Sequence, residues 1–288
     1  MAGASPLAVV ELGLTAAALW GGSDFAGGLG ARRAPALLLV AAGHLVTLVV
    51  LLVVCGMAGL RFPSINFVLL GLLAGFEGAL SLAIFYRALA DGAMGVTAAL
   101  TGVLTAAVPV AFALASRGWP STTEVAGLAA GAGAIALTAW TSEHGTTPRA
   151  LAMGALAGVG FGVQLVLLKL AATGGVAWAM TTARAGGLLG ILLALAVSAQ
   201  AGNRLTSGRI RMRGFWRMGV LAGVLDAAGN GAYMLAAGIG RMEVGAMIAS
   251  LYPAVTILLA IVLLHERPGW RQKLGMGVGL MAILLLSR

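Results

Sequence analysis

The chain has 288 residues, of which 60% are hydrophobic and only 9% charged, and its mean hydropathy is +1.01. Water-soluble domains carry charge on about a quarter of their residues, so this composition excludes one and points to lipid as the solvent. The net charge of +9 would suggest nucleic acid on a soluble chain, but anionic headgroups beside the loops explain it here, and the lone Cys55 excludes an intrachain disulfide.

A helix crosses the hydrocarbon in roughly 20 apolar residues. Cutting the chain at clusters of charge, Pro and Gly predicts ten spans, near 7–31, 35–57, 66–88, 93–116, 121–141, 150–171, 176–200, 214–237, 242–264 and 270–287. The first lacks the basic start and small-residue cleavage pattern of a signal peptide, so it is expected to be retained. No segment between spans is long enough for a soluble domain, which places any activity inside the membrane.

An ionisable group near the bilayer centre costs at least roughly 2.5 to 3.5 kcal/mol on insertion scales, so each one is a candidate for function. In the first span Asp24 follows Gly21, Gly22 and Ser23, where glycines permit close helix approach or a backbone bent toward a ligand. Asp24 either binds solute or touches water near the helix end, and Glu11 snorkels. The second span holds His44, an interior histidine satisfied by its neighbours or a proton relay. The third holds Glu77 with Ser81 one turn on, a carboxyl that could exchange a proton during transport or simply be satisfied by an adjacent helix.

Thr97, Thr101 and Thr105 in the fourth span are expected to bond their own backbone, and Pro109 to interrupt the helix. Gly127-x-x-x-Gly131 in the fifth and Gly275-x-x-x-Gly279 in the tenth are packing motifs, either for each other or for a homodimer. In the sixth, Gln164 follows Gly160-Phe161-Gly162, and Lys169 lies near the end. Arg184 in the seventh cannot remain in lipid; it anchors a substrate carboxylate or pairs with Asp226 or Glu77. The eighth span carries Asp226, Asn230 and Tyr233 at i, i+4 and i+7, a polar stripe that lines a cavity or bonds neighbouring helices. Pro253 in the ninth frees a carbonyl beside Ser250 and Tyr252, which makes those two pathway candidates.

The chain matches itself. At a constant offset of 148, Leu73, Ala74 and Gly75 fall on Leu221, Ala222 and Gly223; Gly92, Met94 and Val96 fall on Gly240, Met242 and Val244; and Pro120, Gly127 and Gly131 fall on Pro268, Gly275 and Gly279. Earlier in each half Trp20-Gly21 aligns with Phe161-Gly162 and His44 with Arg184. Residues 1–141 and 142–288 thus read as two repeats. Five spans each is an odd number, so the second enters the membrane in the opposite sense. The expected fold is an all-α polytopic membrane protein of ten transmembrane helices in two inverted five-helix repeats, an arrangement that builds two interconverting faces around a midplane site.

These residues resemble the EamA-type members of the drug/metabolite transporter superfamily. The resemblance rests on Ser250-Leu251-Tyr252-Pro253-Ala254, on His265-Glu266-Arg267-Pro268 followed by Gln272, Gly275 and Gly279, and on Trp20-Gly21-Gly22-Ser23-Asp24-Phe25. The first half departs from the pattern at Arg117-Gly118-Trp119-Pro120, so symmetric Glu-Arg pairs are lacking. That family includes exporters of amino acids, other metabolites and drugs, and sugar or nucleotide-sugar carriers. The resemblance therefore implies a multi-pass carrier of the cell membrane, an exporter.

The expected function is a secondary transporter of small polar or amphipathic metabolites, amino acids or related compounds, working by alternating access with proton exchange at Glu77 or Asp226. A drug or cation exporter and an uncoupled uniporter are the alternatives within transport; a channel or a membrane-embedded structural partner is the alternative outside it. No phosphate loop, metal-ligand cluster or activated serine is recognisable, so neither enzyme chemistry, a cofactor nor a metal is expected. Twelve loop Lys and Arg lie on one side, among them Arg204, Arg209, Arg211 and Arg213, against Arg61, Arg117, Lys169, Arg241 and Arg288 on the other. The positive-inside rule then puts both termini outside the cytoplasm, whereas the resemblance implies them inside.

Overall fold

The computed structural model describes residues 6–31, 35–91, 94–117, 119–138, 147–200, 212–264 and 269–286. Helix is the only regular structure among them. In order these are α1 (Pro6–Ala31), α2 (Ala36–Met57), α3 (Ile65–Asp91), α4 (Met94–Arg117), α5 (Thr122–Thr138), α6 (Pro148–Ala172), α7 (Val176–Gln200), α8 (Met212–Ile239), α9 (Met242–Ala249), α10 (Tyr252–Leu264) and α11 (Trp270–Leu286). Each predicted span carries helix, and the ninth carries two, α9 and α10. Among the described residues five stretches are long and apolar enough to cross a bilayer: Leu37–Met57, Ile65–Leu82, Pro148–Ala172, Val176–Val197 and Trp216–Ile239. The motif His265-Glu266-Arg267-Pro268, most of the arginine-rich loop before α8 and the side chain of Thr97 lie outside the described residues.

Local chemistry sets the helix ends. Thr147 caps α6 by accepting the Ala150 N–H at 3.1 Å, with Pro148 in the first turn. At α5 a capping box forms: the Glu124 N–H donates to Ser121 Oγ at 3.2 Å, and the Ser121 N–H donates to Glu124 Oε2 at 2.8 Å. The tight turn from α6 to α7 passes through Gly175 at φ 114°, a conformation open to glycine.

The two prolines behave differently. At Pro253 the ninth span breaks: α9 ends at Ala249, and Ser250 and Leu251 form a turn before α10. Pro109, by contrast, is carried inside an unbroken α4, which corrects the expected interruption. The carbonyl it cannot engage, that of Thr105, faces Gly162 of α6, where a Cβ would come within 2.9 Å. Packing against α6 holds α4 together on both sides of the ring. Nearby, Thr105 Oγ1 donates to its own helix at the Thr101 carbonyl (2.8 Å), as expected, while Thr101 Oγ1 reaches across to the Gly154 carbonyl of α6 (2.9 Å).

The helices pack as crossed partners. α1 lies along α8, α3 along α6 and α7, α2 between α7 and α8, α4 on α6, α9 and α10 on α1, and α5 on α11. Small residues set these approaches: Gly43 of α2 and Gly223 of α8 meet backbone to backbone, and Gly75 of α3 lies against the Ala183 carbonyl of α7. In membranes, where lipid is as apolar as leucine, such close approach is what holds helices together. Gly131 faces Met247 of α9, and Gly279 faces Ala134 and Leu251, so those two motif glycines serve contacts within the chain. Large apolar side chains remain uncovered on the outer faces, including Val49, Val50 and Val53 of α2 and Leu189, Leu192 and Leu193 of α7.

Candidate functional site

Midway along the long helices, four side chains from three helices converge. Arg184 of α7, 3% exposed, donates through Nη1 to Asp226 Oδ2 of α8 at 2.5 Å. Asn230, one turn further on α8, donates through Nδ2 to the same oxygen at 3.3 Å. His44 of α2 completes the group, with Nε2 at 3.5 Å from Arg184 Nη1. His44 Nδ1 sits 3.0 Å from the Val40 carbonyl. A carbonyl can only accept, so the ring proton belongs on Nδ1 and Nε2 presents its lone pair to the guanidinium. His44 and Arg184, predicted to be repeat equivalents, are therefore direct neighbours.

The pair is unevenly wrapped. The Arg184 side chain is 4% exposed and that of Asp226 36%. Among the described residues both hydrogen bonds to Asp226 use Oδ2, and the Arg184 Nε is buried with no partner. A buried charge pair is stable only when its remaining donors and acceptors are satisfied. Here one donor is left over beside a partly exposed carboxylate.

Aromatic rings line the same region. The Trp20 ring of α1 lies 6.1 Å from that of Tyr233 and 6.4 Å, edge-on, from that of Tyr252. Tyr233 is fully buried, and its hydroxyl donates to the Leu165 carbonyl of α6 at 3.1 Å. Of the predicted stripe, Asp226 and Asn230 thus join the charge cluster, while Tyr233 gives its hydroxyl to a neighbouring helix and its ring to Trp20. Ser250, at the α9–α10 break, is fully buried, and its hydroxyl has no partner among the described residues. Asp24 lies beside Ser23, whose Oγ donates to the Ala222 carbonyl one turn before Asp226, at 2.9 Å. Asp24 is only partly buried and makes no hydrogen bond or ion pair among the described residues.

Glu77 belongs to a separate group on the contact of α3 with α6. Ser81 Oγ donates to its Oε1 at 2.6 Å, its Oε2 is buried without a partner among the described residues, and both residues press on Gly160. The Gln164 amide packs against Gly78, next in sequence to Glu77, and so sits with this group.

One polar cluster was not foreseen. Arg241, in the turn between α8 and α9, donates through Nε to Glu243 Oε1 at 2.5 Å and through Nη1 to Glu124 Oε2 of α5 at 3.0 Å. Glu243 is 1% exposed and its Oε2 has no partner among the described residues. The signal was present in the sequence as the sole acid of the ninth span, but a charge so close to a predicted span start resembles a loop residue.

Long apolar helices and an uncovered apolar perimeter point to a multi-pass integral membrane protein. Residues 148–288 match the model of the EamA-like transporter family. That half is therefore a domain of the drug/metabolite transporter superfamily. A solved structure described as "Crystal structure of protein" matches with a TM-score of 0.73 at 18% identity, over 98% of this chain and 96% of that one, which shows a shared fold. No curated protein matches the chain in sequence.

Proposed function

We propose that the protein is a secondary transporter of ten spans in two inverted five-helix repeats, which exports small polar or amphipathic metabolites by alternating access. The observation that carries this is the Arg184–Asp226 pair with Asn230 and His44: a charge cluster at mid-depth, with a spare buried donor and a partly open carboxylate. Charge at that depth is costly and is retained where it lines a substrate or ion path.

The helix pairing supports the repeat. Counting α9 and α10 as one span, exchange of the halves turns the contact of α1 with α8 into that of α6 with α3. It likewise turns α2 on α8 into α7 on α3, and α1 on α9 and α10 into α6 on α4. The contacts α2 with α7, α5 with α11 and α4 with α9 map onto themselves. This exchange symmetry supports a two-fold relation between the halves, and an axis in the membrane plane would set Arg184 and His44 facing each other across it. Asp24, Ser250, Tyr252 and Trp20 border the solute path, and Asp226 or Glu77 carries the coupled proton.

The test is solute efflux from proteoliposomes against an imposed pH gradient, with Asp226→Asn and Glu77→Gln compared with the parent. Loss of gradient-driven efflux in one variant, with exchange between equal pools retained, supports proton carriage by that residue. Unchanged coupling in both removes proton exchange from the account.

A further inference from the structure

The Arg241 cluster lies at the end of the molecule where α8 finishes, α5 begins and the N-terminal part of α1 packs, Val9 meeting Gly240. From Asp226 the helix runs through Asn230 and Tyr233 toward this end. Every residue of α9, from Met242 to Ala249, is buried, among α1, α4, α5 and α8. Arg241 and Glu124 form the outer part of the cluster, with side chains 34% and 21% exposed, and Glu243 at 1% forms the inner part. The carboxylates come from different halves of the chain, and one guanidinium joins them.

We propose that Glu124, Arg241 and Glu243 form an ionic gate that closes the terminus-proximal face of the central site. The proposal rests on the transporter reading and names the contact that must break for one face to open. Its physics is that of a latch. Arg241 is the sole counter-charge of Glu243 among the described residues, and the other Glu243 oxygen is already unpartnered. Arg241 can move away only if water reaches Glu243 as it goes, because an uncompensated buried carboxylate is expensive. Dry and paired, or wet and parted, are the two stable arrangements.

The gate is one-sided. At the repeat offset of 148, Arg241 corresponds to Ala93, Glu243 to Gly95 and Glu124 to Gln272. None of those three positions carries a charge, so the opposite face cannot close by the same ionic trio. Removing charge from the cluster should bias the protein toward opening at the terminus-proximal face, and there only.

The experiment places a reporter cysteine, Asn230→Cys, in a Cys55→Ala background and measures labelling by a membrane-impermeant maleimide. Right-side-out and inside-out vesicles are compared, and the terminus-proximal side is identified by an N-terminal epitope. E243Q should raise the labelling rate from that side at least about tenfold, the factor that 1.4 kcal/mol represents. E124Q breaks only the more exposed contact and should raise it about two- to fivefold. E124Q also keeps the test decisive if E243Q does not fold. Labelling from the terminus-proximal side at the parent rate in both variants, with the cysteine reachable from the other side, overturns the gate and leaves the transporter reading standing. A cysteine reachable from neither side in any variant overturns both.

Discussion

Substituting the two members of the central pair should have unequal consequences, and the inequality follows from their wrapping. In Asp226→Asn the Arg184 guanidinium, 4% exposed, keeps its charge and loses its counter-charge. Only the introduced amide oxygen and the His44 nitrogen at 3.5 Å remain beside it, and its Nε has no partner among the described residues. Stranding a buried charge in this way costs about 3–5 kcal/mol. In Arg184→Met the stranded group is Asp226, which is 36% exposed and retains the Asn230 amide at 3.3 Å, so the loss is that of a hydrogen bond to a charged group, about 1.5–3 kcal/mol. The double variant removes both charges and should recover most of what Asp226→Asn loses. For a chain of this size about 2–4 °C of midpoint accompanies each kcal/mol. Thermal unfolding in mild detergent should therefore place Asp226→Asn lowest, Arg184→Met above it, and the double variant above Asp226→Asn. A double variant whose loss is the sum of the single losses would refute the reasoning, as would Arg184→Met falling below Asp226→Asn.

Gly223→Leu should prevent stable folding, because its side chain would occupy the backbone of Gly43. Overpacking ordinarily costs about 1–3 kcal/mol, and a rigid backbone neighbour puts this site at or beyond the upper end; yield of monodisperse protein checks it. Tyr233→Phe removes the hydroxyl that donates to the Leu165 carbonyl but keeps the ring against Trp20. Because that carbonyl keeps its place in the α6 backbone ladder, a loss of about 0.5–1.5 kcal/mol in detergent unfolding is expected, with the solute profile unchanged. Ser121→Ala dismantles the capping box of α5 and should cost about 0.5–2 kcal/mol, measured the same way. Arg241→Gln leaves Glu243 uncompensated and should destabilise far more than E243Q, which leaves Arg241 half in solvent with Glu124; equal midpoints would contradict the burial assigned to Glu243.

Helix positions were legible in the sequence because apolar stretches are long and the turns between them hold Gly, Pro and charge. The boundaries of α7 coincide with its predicted span. The break at Pro253 and the continuity at Pro109 were not separable, since both are prolines in apolar runs. What distinguishes them is the neighbour across the Thr105 carbonyl, Gly162, a tertiary fact. Asp226, Asn230, His44 and Arg184 stood out as polar groups at mid-span, and a pairing of Arg184 with Asp226 was one of the readings the sequence offered. That Glu77 and Gln164 belong to another contact was hidden, because facing depends on which helix lies against α3. Glu243 was hidden by its place at the mouth of a span. The sequence shows that a residue is charged but does not show its burial.

The most direct test of the central claim is counterflow in proteoliposomes loaded with unlabelled solute, for a panel of amino acids, organic cations and other small metabolites. Alternating access predicts that at least one labelled compound accumulates transiently, that its uptake saturates, and that it is accelerated by the same compound inside. Flux that rises linearly with concentration and ignores the internal pool would mean a pore. No flux for any compound would mean that the polar cluster only holds helices together.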